Sequence, residues 1–318
     1  MAAGSGQAQT VSNSVVSLSV DQSHGGAITS FKVLGTETIN GADLGRDIQS
    51  SFFFDSAGLP PQAAGCVTAV PPWLNPQEAG DECGIPSQIY AIGTTGNRLD
   101  VGVYPRDWHG RGITPGLRIE GHHTVGPLPY ISDPETTQLK YQVYWDQAYA
   151  GQPDLKFQHS TFDARPRATP VPFVPAAYFK ADLLPRLYGL SLDGTTWIEL
   201  TSSVSASGGD YEPSLYRFRA MAWMQAELGW GVALYGRSTL EQSCGANAFE
   251  MALAAQSGQC PNFAAQRFPS QGTNNLSVVV QGLRDQPPGT GVEIISHMVV
   301  GNLTTIQDQV NRIYQSGN

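Results

Sequence analysis

Short segments in which apolar and polar residues alternate recur along most of this chain, and that period of two is the strongest constraint on its fold. VVSLSV (15–20) alternates, Gly25 and Gly26 mark a turn, and AITSFKVL (27–34) resumes the alternation before Gly35 turns the chain again. That is a hairpin pattern. The same period returns over 99–104, 138–145, 155–161, 177–183, 196–200, 215–224, 230–235, 276–281 and 292–300. Roughly a dozen strands follow. Helical spacing appears at 304–314, where Ile306, Val310, Ile313 and Tyr314 follow Thr304, the expected cap.

Composition agrees with strands joined by tight turns: 35 Gly and 22 Pro stand against only 14% charged residues. With 318 residues, no linker-like segment and no fixed-period repeat, the expectation is one all-β domain over 15–318. It is read as a single large antiparallel β-sandwich with long loops and a short C-terminal helix, preceded by a flexible segment, 1–14. The irregular stretches 56–87, 105–134 and 241–272 are long, and long loops on a rigid framework are where binding and catalysis concentrate. A formal net charge of -9 argues against nucleic acid or an anionic membrane as partner. No run approaches the eighteen or so apolar residues that cross a bilayer, and the opening MAAGSGQAQTVSNS is too polar for a signal peptide.

The four cysteines fall as two local pairs, Cys66 with Cys83 and Cys244 with Cys260. Four cysteines allow three pairings; the local one closes two Pro/Gly/Gln-rich loops, each stabilised by roughly 3 kcal/mol on the chain-entropy model. Bridged cysteines imply an oxidising compartment, so the expected location is the periplasm or outside the cell.

The stretch INGADLGRDIQSSFFFD (39–55) sets Asp43, Arg46 and Gln49 beside three phenylalanines. Asp43 and Arg46 fit an ion pair bracing a turn at Gly45. They equally fit the wall of a concave surface, where guanidinium and amide groups meet sugar hydroxyls or carboxylates. The opening VVSLSVDQSHGGAITSFKVLGTETING resembles the first strands of galactose-mutarotase-like β-super-sandwich proteins. INGADLGRDIQSSFFF, WLNPQEAGDECGIPS, WMQAELGWGVALY and HMVVGNLTTIQDQV are similar to pieces of a mostly uncharacterised secreted bacterial group with that fold. The resemblance implies a sugar-binding groove across a large antiparallel sheet, as in aldose mutarotases, polysaccharide lyases and some glycoside hydrolases. No NHxxFNL-like segment of the mutarotase type is present.

Glycoside hydrolysis needs two carboxyl groups flanking the scissile bond. Asp43 and Asp81 are the expected pair, because both stand in Gly/Asn-rich loops beside aromatic residues, Phe52 to Phe54 and Trp73. Glu227, between Trp223 and Trp230, reads as a solvated turn residue. Lyase chemistry instead needs a base and a cation; YPRDWHGRG supplies Tyr104, Arg106, His109 and Arg111 within nine positions. His109 is therefore a third catalytic candidate. Arg46, Gln49, Trp73, Asn75, Arg106, Arg111 and His122 are expected in substrate binding. In RIEGHH, Glu120 and His122 share a strand face while His123 points the other way, which gives no complete metal site. There is no CxxC pair, phosphate-cradling loop or GxSxG elbow.

The expected function is a secreted glycoside hydrolase acting on a poly- or oligosaccharide. The alternatives are a polysaccharide lyase, a sugar mutarotase and a carbohydrate-binding protein without turnover. No cofactor is expected, with a loop-bracing calcium ion as the one compatible metal.

Overall fold

In the strand Leu117–Val125, LRIEGHHTV, every second side chain from Leu117 to Val125 is buried, as a pleated strand with one dry face requires. It lies inside the stretch expected to be irregular, and it is central to one of the two main sheets. The computed structural model describes residues 8–52, 54–55, 73–145, 173–206, 214–236, 263–279 and 291–317. Among them, nine strands form one sheet in the order Trp197–Glu199, Arg186–Leu190, Ala220–Met224, Gly231–Gly236, Gly291–Gly301, Thr136–Trp145, Leu117–Val125, Arg98–Tyr104 and Gln88–Thr95. Eight form the other, in the order Gly112–Ile113, Arg106–Asp107, Pro76–Gln77, Gln49–Ser51, Phe173–Lys180, Thr273–Val279, Phe263–Phe268 and Ser214–Tyr216. The pairings within both sheets are antiparallel. A four-stranded N-terminal sheet completes the all-β sandwich.

One continuous apolar cluster runs from Val11 to Val300 between the sheets and includes the fully buried Trp223, Tyr141, Phe31, Phe52 and Phe179. Each large side chain buried there contributes about 1.5–3 kcal/mol. Trp223 crosses the sandwich and donates its indole N–H to the Asn275 carbonyl at 3.2 Å. A second apolar cluster lies under the helix Leu303–Ser316, whose Ile306, Val310 and Ile313 pack on Ala233, Tyr235 and Val299. That helix covers one half of the outer face of the nine-stranded sheet.

Several sequence expectations are corrected. Residues 9–12, expected within a flexible segment, form the strand Gln9–Ser12, hydrogen-bonded to Val16–Val20. The stretch 215–224 is two strands in different sheets, because the chain leaves extended geometry between Tyr216 and Ala220. The strand expected over 177–183 is Phe173–Lys180 and turns after Lys180. The helix is capped by Asn302, whose side chain accepts from the Thr305 N–H at 2.9 Å, and not by Thr304. The stretch 39–55 pairs into the eight-stranded sheet through Gln49–Ser51, and Phe54–Asp55 joins separately to Trp73–Leu74. The expected strand at 155–161 lies outside the described residues.

Candidate active site

Two loops singled out in the sequence dock on each other. A Cβ on Gly45 would stand 2.7 Å from the Trp108 ring, so ADLGRD and RDWHGRG approach this closely only with glycine there. Leu44, Ala79 and Ala27 complete the small apolar cluster against Trp108.

Beside that contact lies a row of buried polar side chains on the outer part of the eight-stranded sheet. Gln49 donates to the Gln77 amide oxygen at 3.0 Å and accepts from the Ala79 N–H at 3.0 Å. The Ser51 hydroxyl donates to Asn75 Oδ1 at 2.8 Å. The Asn75 N–H in turn donates to Asp107 Oδ1 at 2.6 Å. Asp107 is the hub: its Oδ2 accepts from the Arg111 guanidinium at 2.9 Å, and its Oδ1 lies 3.4 Å from His109 Nδ1. All of these side chains are buried or nearly so.

Register continues the face across the sheet. Gln49 pairs with Ala176, Ala176 with Ser277 and Ser277 with Ala264; Tyr178 pairs with Asn275, and Asn275 with Gln266. Directly paired residues share a face, so amides, hydroxyls and a phenol line it while Ala177, Phe179 and Leu276 point into the core. Surrounding protein pushes the Tyr178 phenol up to about 12, and it also feels Arg46 and Asp43. Arg46 and Asp43 thus stand at the same end of the sheet, joined to each other, with Arg46 Nε donating to Gln271 at 3.2 Å.

Glu78 supports the row from inside. Its carboxylate accepts from the Ser50 N–H at 2.7 Å and the Ser50 hydroxyl at 2.8 Å, fixing the strand between Gln49 and Ser51. Burial pushes this carboxyl up to about 7. Glu82, which sequence reading did not single out, donates its N–H to the Trp108 carbonyl at 3.0 Å; the residue is exposed, and desolvation by the nearby loop raises its carboxyl above the usual range.

The expected residues therefore separate. Gln49, Asn75, His109 and Arg111 converge through Ser51, Gln77 and Asp107, and Asp43 and Arg46 lie beside them. Asp81 serves a different purpose: it is buried, accepts from the Cys83 and Ile85 N–H groups at 3.1 and 2.9 Å, and is bound by Arg106 at 2.8 Å. That geometry braces a loop and commits both carboxylate oxygens, so Asp81 does not face Asp43 across a substrate. The Tyr104/Arg106/His109/Arg111 cluster is likewise divided, since Arg106 turns to Asp81 and Tyr104 stacks near Tyr90 on the other sheet. His122 also belongs to the nine-stranded sheet. Glu227 is exposed in the turn after Met224, as expected. Trp73 lies in the short strand Trp73–Leu74. Cys83 is disulfide-bonded, and Cys66, Cys244 and Cys260 lie outside the described residues. Among the described residues no group of three or more His, Cys, Asp or Glu could hold a metal ion.

No protein-family model and no curated protein matches the chain. Similar solved structures include a galactose mutarotase-like protein from Lactobacillus casei, 8% identical, covering 92% of this chain and 100% of that one with a TM-score of 0.48. A galactose mutarotase related enzyme from Lactobacillus acidophilus is 10% identical over 93% of this chain and 98% of that one, TM-score 0.47. A 4-alpha-glucanotransferase from Thermococcus litoralis is 9% identical over 94% of this chain and 38% of that one, TM-score 0.45.

Proposed function

We propose that this chain is a carbohydrate-active enzyme that moves protons to and from oxygen at the anomeric centre of a bound sugar. The observation that supports it is the His109–Asp107–Arg111 group set at the end of a row of amide and hydroxyl side chains. Asp107 Oδ1 lies 3.4 Å from Nδ1 of His109, where a carboxylate orients the ring for proton exchange. A carboxylate on Nδ1 also stabilises the imidazolium formed when the ring takes a proton. Glu82, held beside the His109 loop by its N–H donating to the Trp108 carbonyl at 3.0 Å, is the acid that complements it. Gln49 and Ser51 hold the Gln77 and Asn75 amides in place, and these with Tyr178 offer donors and acceptors for a polyhydroxylated ligand.

Glycosidic cleavage follows when Glu82 protonates the leaving oxygen and His109 activates water; anomer exchange follows when the same pair acts on a free reducing sugar. Hydrolysis by Asp43 with Asp81 is replaced by this pair, because Asp81 is enclosed. The disulfide at Cys83 supports a periplasmic or secreted location.

The test is to incubate the protein with a panel of neutral and uronate glycans, reading products by mass spectrometry and anomer exchange of free sugars by NMR. His109→Ala is expected to lower the rate by roughly 10²–10⁴-fold and Glu82→Gln by a similar factor. Turnover that survives both substitutions would overturn the assignment. Thermal stabilisation by a glycan with no product and no anomer exchange would make the protein a binding module.

A further inference from the structure

The outer face of the nine-stranded sheet has two halves, and among the described residues the helix Leu303–Ser316 packs on only one. On the other half, Tyr90 and Tyr104 are 38% and 37% exposed, with ring centroids 4.9 Å apart. The Tyr90 ring lies flat on the sheet because its neighbour is Gly102: a Cβ there would stand 2.5 to 2.8 Å from ring atoms and the hydroxyl. Its hydroxyl is fixed by donation to Glu120 at 2.9 Å. The ring is thus fixed at its hydroxyl and backed by a glycine, with part of its surface left to solvent.

Around this platform the side chains are bonded to one another. His122 Nδ1 lies 2.5 Å from Asp100, Arg98 forks onto the same carboxylate at 2.8 and 3.0 Å, and Tyr144 reaches Glu120 at 3.3 Å. Arg118 lies over the Tyr144 ring at 4.2 Å. Lys140 pairs with Glu293. Asp100, Glu120 and Glu293 are thus matched by Arg98, Arg118 and Lys140, so the face presents polar groups without a net charge.

We propose that this open face is a second carbohydrate-binding surface, separate from the His109 site, which takes neutral glycan chains by stacking sugar rings on Tyr90 and Tyr104. Aromatic faces bind the C–H side of a pyranose, and half-buried carboxylates and imidazole accept and donate to its hydroxyls. Charge balance selects the class: a uronate polymer gains no attraction from matched ions, whereas a neutral chain displaces only water. Ordinary polar sheet faces also carry cross-strand ion pairs. What sets this one apart is the pair of exposed rings, of which Tyr90 is held in place by Glu120 and loses little entropy on binding.

The experiment is affinity gel electrophoresis of the full chain through hydroxyethyl cellulose, arabinoxylan and galactomannan, with alginate as the charged comparison. Wild type is expected to be retarded by at least one neutral polymer. Tyr90→Ala and Tyr104→Ala should each weaken retention by roughly tenfold. Tyr90→Phe keeps the ring and should retain most of it. Gly102→Ala displaces the ring and should act like Tyr90→Ala, with circular dichroism confirming the fold. This surface is distinct from the proposed His109 site, so Tyr90→Ala and Tyr104→Ala should leave any turnover of soluble sugars at the wild-type rate; loss of retention with turnover intact, or the reverse, makes failure of the two readings distinguishable. No retention by any neutral polymer, retention by alginate alone, or retention that survives both tyrosine truncations would overturn the proposal.

Discussion

The polar residues on the outer part of the eight-stranded sheet around Gln49, Asn75 and Asp107 are buried and bonded to one another, whereas those on the face of the nine-stranded sheet around Tyr90 stay partly exposed and pair as ions. The same residue types therefore carry very different energies in the two places. Asp81 and Arg106 are desolvated together, so either one left alone would be a buried uncompensated charge. Lys140 and Glu293 sit in water-screened surroundings, and the loss of either leaves the other hydrated.

The largest test of this contrast is Asp81→Ala, which strands Arg106 and is expected to cost about 3–5 kcal/mol in urea unfolding. A cost below about 1 kcal/mol would break the distinction. Gln49→Ala removes bonds to Gln77, Ala79 and the Leu44 carbonyl, leaving buried partners unmatched. Its expected cost is about 1–3 kcal/mol, with weaker glycan binding at the His109 site.

A pH series sharpens the picture within the core. Glu78 is raised from 4.5 to about 7 in the fold, so the native state holds its proton longer than the unfolded chain. Its contribution is present below pH 4.5 and is lost as pH rises toward 7. His123 and His297 are lowered by burial from 6.5 to about 3, so they oppose it: they weaken the fold as pH falls from 6.5 toward 3. Relative to wild type, Glu78→Gln is expected to be more stable at pH 8 than at pH 4.5, and His123→Leu more stable at pH 4 than at pH 7. Melting temperatures across that range check both signs. The smallest effect belongs to the open face, where Lys140→Ala should change stability by about 0–1 kcal/mol and less at high salt.

Much of the frame was legible because alternation is a local signal. The hairpin of Val16–Val20 with Ile28–Val33, the strands around 99–104 and 138–145, and the terminal helix all stand where the pattern put them, within a few residues. Leu117–Val125 alternates cleanly, but Gly121 and the adjacent His122 and His123 interrupt its apolar side, and it passed for part of a loop. His123 is buried there beside Tyr141, with ring centroids 5.1 Å apart. Gln49–Ser51 is hidden for a related reason: all three residues are polar yet buried, which a pattern of apolar inside and polar outside does not register.

The proposed site was legible in its members more than in its pairing. Gln49, Asn75, His109 and Arg111, which the structure brings together, stand out by residue type and loop context, but Asp107, the carboxylate that binds Asn75 and Arg111 and faces His109, looks like one acidic residue among many. Asp81 drew attention for the same loop context and turned out to be a brace.

By itself, the sequence determined an all-β chain of short antiparallel strands closed by one amphipathic helix, because the alternation of apolar residues and the helical spacing are set by neighbours a few positions apart. Only the tertiary structure decided that Asp107 would meet His109 and Arg111, that Asp81 would be bound by Arg106, and that Tyr90 would lie over Gly102. Those outcomes depend on which strands pair and on which face each strand presents, and both are set by contacts between segments as distant as Gln49 and Ala79, or Tyr90 and Glu120.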